Sequence, residues 1–313
     1  MLDTSIQETV DLTPINFEVT RKPVYGARQK ENKFFGTSET VYEEIDNKFE
    51  FFRKDNGLSL GLHSGSYRHN GYQSHIASVL ETVNEMSRLN LLDLDNKKTS
   101  FNVYEGGRKL KLDILFPRHN IEPAIGDITS LRLRDWDSYD GSWGRRVVMD
   151  GLRLWCLNGC TSPAFKLGFY AKHTKSLSSD EKINQMIGSM ETMLTAFNED
   201  EDKFKKWIAT PITHEEGIQM FSKTLAWAPK AVKVNEEYFN HSMNTMELLG
   251  DCLIDNQRSM GRNLYAVYNT ATQWATHVGE TRGQVHNVER SRETKVAAML
   301  NSEPWGKLER VTV

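Results

Sequence analysis

Apolar positions recur at helical spacing from about Tyr72 to Asn90, where Ile76, Val79, Leu80, Val83, Met86 and Leu89 would share one face. That pattern predicts an amphipathic helix. Before it, Leu58–Leu62 reads as a strand and SGSYRHNGY as a turn-rich link. After it, Phe101–Tyr104 and Lys109–Phe116 read as a hairpin around Gly106-Gly107, with Leu110, Leu112, Ile114 and Phe116 on one face. Pro117 is expected to end the second strand, because proline donates no ladder hydrogen bond. Two further strands follow within Ile128–Gly159. From about Ser178 the period turns helical again. Ile183, Met186, Ile187, Met190, Met193, Leu194 and Phe197 form a stripe behind the capping sequence SSDE. The acidic run Glu199–Asp202 ends that stripe or opens another turn. More helices are expected near Glu215–Leu225, Glu236–Asp255, Arg262–His277 and Arg290–Leu300.

The order of these elements predicts an α+β fold: a mainly antiparallel sheet with a flanking helix, followed by a helical C-terminal half. The expected organisation is a loosely structured N-terminal arm (1–57), a sheet domain (58–175) and a helical region (176–313). The arm has no hydrophobic period. Lys22-Pro23, Gly26 and the polar run 28–33 interrupt it.

The strands around DWDSYDGSWGRR carry unusual chemistry. Alternate residues of a strand point to opposite faces, so Leu131 and Leu133 would face inward while Arg132, Arg134 and Trp136 face out. On the next strand Val148, Leu152, Leu154 and Cys156 can point inward, with Arg145, Arg153 and Trp155 opposite. One open face would then hold four arginines and two indoles. Guanidinium groups neutralise phosphates and indoles stack on unpaired bases, so the pattern points to single-stranded nucleic acid. Tyr67 and Arg68, with His69, would add contacts from the preceding turn. The opposing reading is ordinary solvated arginine beside a second layer of core.

Charge bears on this choice. The whole chain has a formal net charge of -3 and a pI near 6.3. Residues 128–175 nevertheless hold eight basic and four acidic side chains, a local excess that leaves a polyanion partner open. Segment 176–216 is acidic and unsuited to touching a nucleic-acid backbone.

Other chemistry is weaker. Asp135, Asp137 and Asp140 crowd into DWDSYDG and would suit a divalent cation, but the spacing also suits a turn. Cys156 and Cys160 stand at zinc spacing with His173 following, yet the third cysteine, Cys252, is remote and buried inert thiols are commoner. His63, His69 and His75 recur every six residues, a period that gathers them on neither a helix nor a strand. There is no phosphate-binding loop, dinucleotide fingerprint, nucleophile elbow or zinc-protease motif. No catalytic residue and no cofactor is therefore assigned. The first twelve residues are acidic and polar, unlike a secretory leader, and three cysteines suit a reducing cytoplasm. No apolar run approaches a bilayer span, so no membrane partner is expected.

Four blocks resemble a known family. They are LGLHSGSYRHNGYQSHIASVLETV; EGGRKLKLDILFP with IGDITSLRLRDWDSYDGSW; RLWCLNGC with AKHT; and NLYAVYNTATQWATHV with RSRETKVAAMLNSEPWGKL. Together they resemble the phage- and plasmid-encoded proteins grouped as domain of unknown function 932. The first half is also similar in element order to the β-β-β-α core of phage single-strand annealing proteins, by fold-level analogy. That likeness implies a homo-oligomer that lays single-stranded DNA along a basic surface without a nucleotide cofactor. The leading expectation is therefore a single-stranded-DNA-binding factor for annealing or recombination. A metal-dependent enzyme using the aspartate cluster, or a protein that engages a host partner, is the alternative.

Overall fold

A computed structural model describes residues 13–32, 37–69, 71–153, 158–160, 168–171, 173, 179–226, 236–277, 279 and 284–310. The architecture is α+β with antiparallel sheets and C-terminal helices. β1 (Val19–Asn32), β2 (Thr37–Arg53) and β3 (Ser59–Ser64) form a three-stranded sheet in that order. α1 (Tyr72–Arg88) follows. β4 (Lys98–Tyr104), β5 (Lys109–Ile121), β6 (Thr129–Ser138), β7 (Arg145–Arg153) and the short β8 (Asn158–Cys160) form a second sheet, in which β9 (Phe169–Ala171) also pairs with β7.

The helices come last: α2 (Ser179–Ala209), α3 (His214–Thr224), α4 (Glu236–Met260), α5 (Leu264–Thr276), α6 (Val285–Leu300) and α7 (Glu303–Glu309). α2 runs straight through Glu199–Asp202 rather than stopping there. Phe204 and Trp207 on its far turns are buried, so the apolar stripe resumes beyond the acidic run. Local signals set the helix starts. Thr213 and Glu216 make a reciprocal capping box on α3, and the Asn263 side chain accepts from Ala266 N–H at the start of α5. Trp207, Trp305, Tyr265, Tyr268 and Phe204 pack together as an aromatic core between helices. Among the described residues no helix is long and apolar enough to cross a membrane.

Two elements depart from expectation. The region expected to be a loose arm holds a long antiparallel ribbon. β3 pairs only with Lys48–Phe52, so the far part of the ribbon stands beyond the sheet. Between residues 24–30 and 38–48 no residue is buried. With both faces in water there is no apolar alternation to read, which is why the pattern looks structureless. Second, β5 continues past Pro117. The ladder shifts register between Phe116 and Asn120, and the bulge takes up the missing donor.

The second sheet is covered on both faces. β6 is buried at every position but Arg132, and β7 at every position but Leu152. His75 of α1 meets Asp135 on one face. On the other, Glu293 of α6 meets Arg134 and Glu289 meets Lys111.

Candidate functional site

The register of β6 and β7 decides where the arginines point. Arg132 stands opposite Asp150, Arg134 opposite Val148 and Trp136 opposite Arg146. Directly opposed residues share a face. Arg132, Arg134 and Trp136 therefore share theirs with Arg146 and Asp150. Arg145 and Arg153 lie on the reverse face, with Asp135 and Thr129. The single cationic-aromatic face expected from the alternation is split between two faces, and neither is open.

Arg132, Arg134, Arg145 and Arg153 each meet a carboxylate, while Arg146 lies against the Trp136 and Tyr170 rings. Arg134 is fully buried between Asp150 and Glu293. Those two acids outweigh the burial that pulls its guanidinium down, and hold it firmly charged. Arg132 Nε lies 3.1 Å from Asp150, and Arg145 Nη2 lies 3.3 Å from Asp137. Arg153 pairs with Asp127, whose other oxygen accepts the Tyr265 hydroxyl at 2.9 Å, and also reaches Asn269. Trp136 is buried with Arg134 and Arg146 against its ring at 4.8 and 5.5 Å. The charge of these four arginines is thus spent inside the fold, on partners up to 159 residues away, while Lys166, Lys172 and Lys175 lie outside the described residues. Trp155 and Cys156 lie outside the described residues. Arg68 is exposed and donates to the Gly65 and Tyr67 carbonyls. Tyr67 is half-buried, with its hydroxyl donating to the Ser138 carbonyl at 2.8 Å.

The three aspartates do not converge either. Asp135 and Asp137 sit within β6, two residues apart on one face, and both are fully buried. Asp140 belongs to the turn, accepts from Ser142 N–H at 2.8 Å and faces Lys109 at 3.4 Å. Gly141 beside it has a φ of 72°, the left-handed conformation that a tight turn asks of glycine.

A different constellation forms instead. His69, from the loop before α1, and His173, just after β9, both bring Nε2 to Asp137 Oδ1, at 3.4 and 3.0 Å. The three ligand-capable atoms lie within 4.8 Å of one another. The His69 and Asp137 side chains have no solvent exposure. Asp137 Oδ1 also accepts Ser138 N–H at 2.8 Å, and Arg145 attends Oδ2. Burial pushes the Asp137 carboxyl up, but the surrounding imidazoles outweigh it and hold it well below the usual carboxylate range. Burial drives the His69 imidazole down, against the pull of Asp137, and favours its neutral form.

Aromatic rings wall this cluster. Tyr139 stacks on His69 at 3.7 Å between centroids, and His63 stacks on Tyr67 at 3.8 Å. His69 and His173 lie face to face at 5.0 Å. Burial, then the Asp137 charge, raise the Tyr67 hydroxyl above its ordinary value, so it stays protonated. The backbone joins the same pieces, since Arg68 N–H donates to the His173 carbonyl at 2.7 Å. Three distant segments are thereby tied at one end of the sheet. His69 was visible in the histidine series of the sequence, but spacing alone pairs it with neither Asp137 nor His173.

The family model described as Domain of unknown function (DUF932) matches residues 104–296. The chain belongs to that family. The DUF932 match takes in β5 to β9 and helices α2 to α5, and so contains Asp137 and His173, while His69 and the ribbon precede it. No curated protein and no solved structure matches the chain.

Proposed function

We propose that this DUF932 protein binds single-stranded nucleic acid through the β1–β2 ribbon and acts as a strand-annealing or recombination accessory factor. The observation that carries the reading is the ribbon's exposed surface. Tyr25 and Tyr42 are 54% and 69% exposed. Tyr25 stands opposite Glu44 and Ala27 opposite Tyr42, which makes the two rings diagonal neighbours on one face. Two open rings at that spacing are a platform for successive bases. Arg28 and Lys30 are exposed but alternate onto the ribbon's reverse face, opposite Val41 and Glu39, and Arg28 lies 3.8 Å from Glu43, so the face that carries the rings is nearly neutral.

The order β1-β2-β3-α1 supports the reading by fold-level analogy with annealing proteins. A two-stranded ribbon is also marginal in water by itself, so a partner along it would stabilise it. Its far portion has two open edges, β1 with Arg28 and Lys30 and β2 with Glu39, Glu43 and Glu44. Edge pairing between copies would join basic to acidic strand and align the tyrosines into a track. The carboxylates of β2 limit electrostatic attraction, so stacking carries most of the affinity.

The test is fluorescence anisotropy of a labelled single-stranded oligonucleotide. Tyr25→Ala/Tyr42→Ala should weaken binding by more than tenfold, given about 1–3 kcal/mol per stacked base. Absence of binding at low salt, or binding indifferent to both tyrosines, would overturn the proposal.

A further inference from the structure

We infer that His69, Asp137 and His173 form a binding site for one divalent transition ion of borderline softness, of which Zn2+ is the natural probe. The donor set is two imidazoles and a carboxylate, which suits such ions and leaves a further position for water or another ligand. The carboxylate-to-imidazole distances agree, and all three ligand atoms lie within 4.8 Å of one another, so the two rings need only draw together to share one ion. Ligand atoms each about 2.0–2.1 Å from a metal stand roughly 3.0–3.4 Å apart in octahedral or tetrahedral arrangement. Asp137 Oδ1 lies 3.0 Å from His173 Nε2 and 3.4 Å from His69 Nε2.

An independent observation points the same way. His69 Nε2 and His173 Nε2 are buried and have no hydrogen-bond partner, although each stands close to the carboxylate. Each is close to the Asp137 carboxylate without completing a hydrogen bond to it. Buried polar atoms without partners are rare, because each costs about 1–3 kcal/mol. A cation satisfies both nitrogens at once. The supporting shell is also in place. Ser138 N–H and Arg145 hold the carboxylate, and Tyr139 stacks on the His69 ring.

The site would do two things. It would pin the segment that carries His69 and the residue His173 to the end of β6, closing three segments around one centre. It would also act on His69. Its Nδ1 accepts Gly71 N–H at 3.0 Å, which places the ring hydrogen of the neutral form on Nε2. Ligation through Nε2 requires that hydrogen to move to Nδ1, which ends the Gly71 contact at the first turn of α1. Metal binding is therefore coupled to the loop that carries Tyr67 and Arg68.

The experiment uses the full chain, stripped with chelator and then titrated with Zn2+ by calorimetry, with metal content measured after dialysis. The expected result is one Zn2+ per chain, with affinity reduced by more than about 100-fold in His173→Ala and in Asp137→Asn, a larger loss than outer-shell changes produce. His173 is at the rim of the cluster, so His173→Ala tests the site if Asp137→Asn fails to fold. His119→Gln, remote from the cluster, should bind as the parent does. Nitrogen NMR of His69 should show its hydrogen moving to Nδ1 on Zn2+ addition. No zinc retained after dialysis, or retention unchanged by His173→Ala, would overturn the inference. Neither result depends on nucleic-acid binding.

Discussion

Arg134→Leu is the sharpest test of the buried cationic face. Its guanidinium has no solvent exposure and pairs with two carboxylates, Asp150 and Glu293. Truncation leaves Asp150 with Arg132 at 3.1 Å, but leaves Glu293, 1% exposed, without its main partner. Stranding a buried charge costs about 3–5 kcal/mol. Arg134→Leu/Glu293→Leu removes the stranded carboxylate and replaces the pair with apolar volume. That change is often neutral or stabilising where a buried pair is exchanged for packed side chains. The double variant should therefore recover most of the loss, with a coupling energy of about 2–3 kcal/mol in the cycle. Equilibrium urea unfolding of the four proteins measures it. A single-variant cost below about 0.5 kcal/mol, the range of surface substitutions, would show that Arg134 faces solvent and would refute the covered sheet.

Three further outcomes follow from the same packing. Asn263→Ala removes the side chain that caps α5 and should cost about 1 kcal/mol in urea unfolding, while Asn263→Asp keeps the acceptor and most of the stability. Gly61→Ala would place a methyl 2.8 Å from Asp140 Cα and 2.9 Å from the Tyr139 carbonyl, so the turn beside Asp137 must shift; a lowered melting temperature, with stability down by about 1–3 kcal/mol, is expected. His69 has its folded pKa below its ordinary value of 6.5. Its stabilising contribution is then full above about pH 6.5 and is lost as pH falls from there through the folded value. Asp137, also depressed, gives the same sign below its ordinary value of 3.8. Stability should fall on acidification from pH 7 to 5, and His69→Gln should flatten that slope; a profile unchanged by the substitution would contradict the burial of this imidazole.

Elements whose signal is local were legible in the chain. The spacing of Ile76, Val79, Val83 and Met86 reads as α1 because those four side chains are all buried on one face. The ribbon was not legible for the opposite reason: a strand wet on both sides writes no period into its sequence. The arginines of β6 and β7 show a third case. Their alternation within each strand was readable, but the offset between strands was not, and one residue of offset moves Arg145 and Arg153 to the reverse face. Their partners were still less visible, since Glu293 and Asp127 come from other parts of the chain. A run of positive charge in a sequence therefore says little about surface potential until the carboxylates opposite it are known. The same logic hid the His69–Asp137–His173 cluster. Each residue had an ordinary local explanation, and only the approach of His69 from a loop, Asp137 from a central strand and His173 from beyond β9 gives the three a common centre.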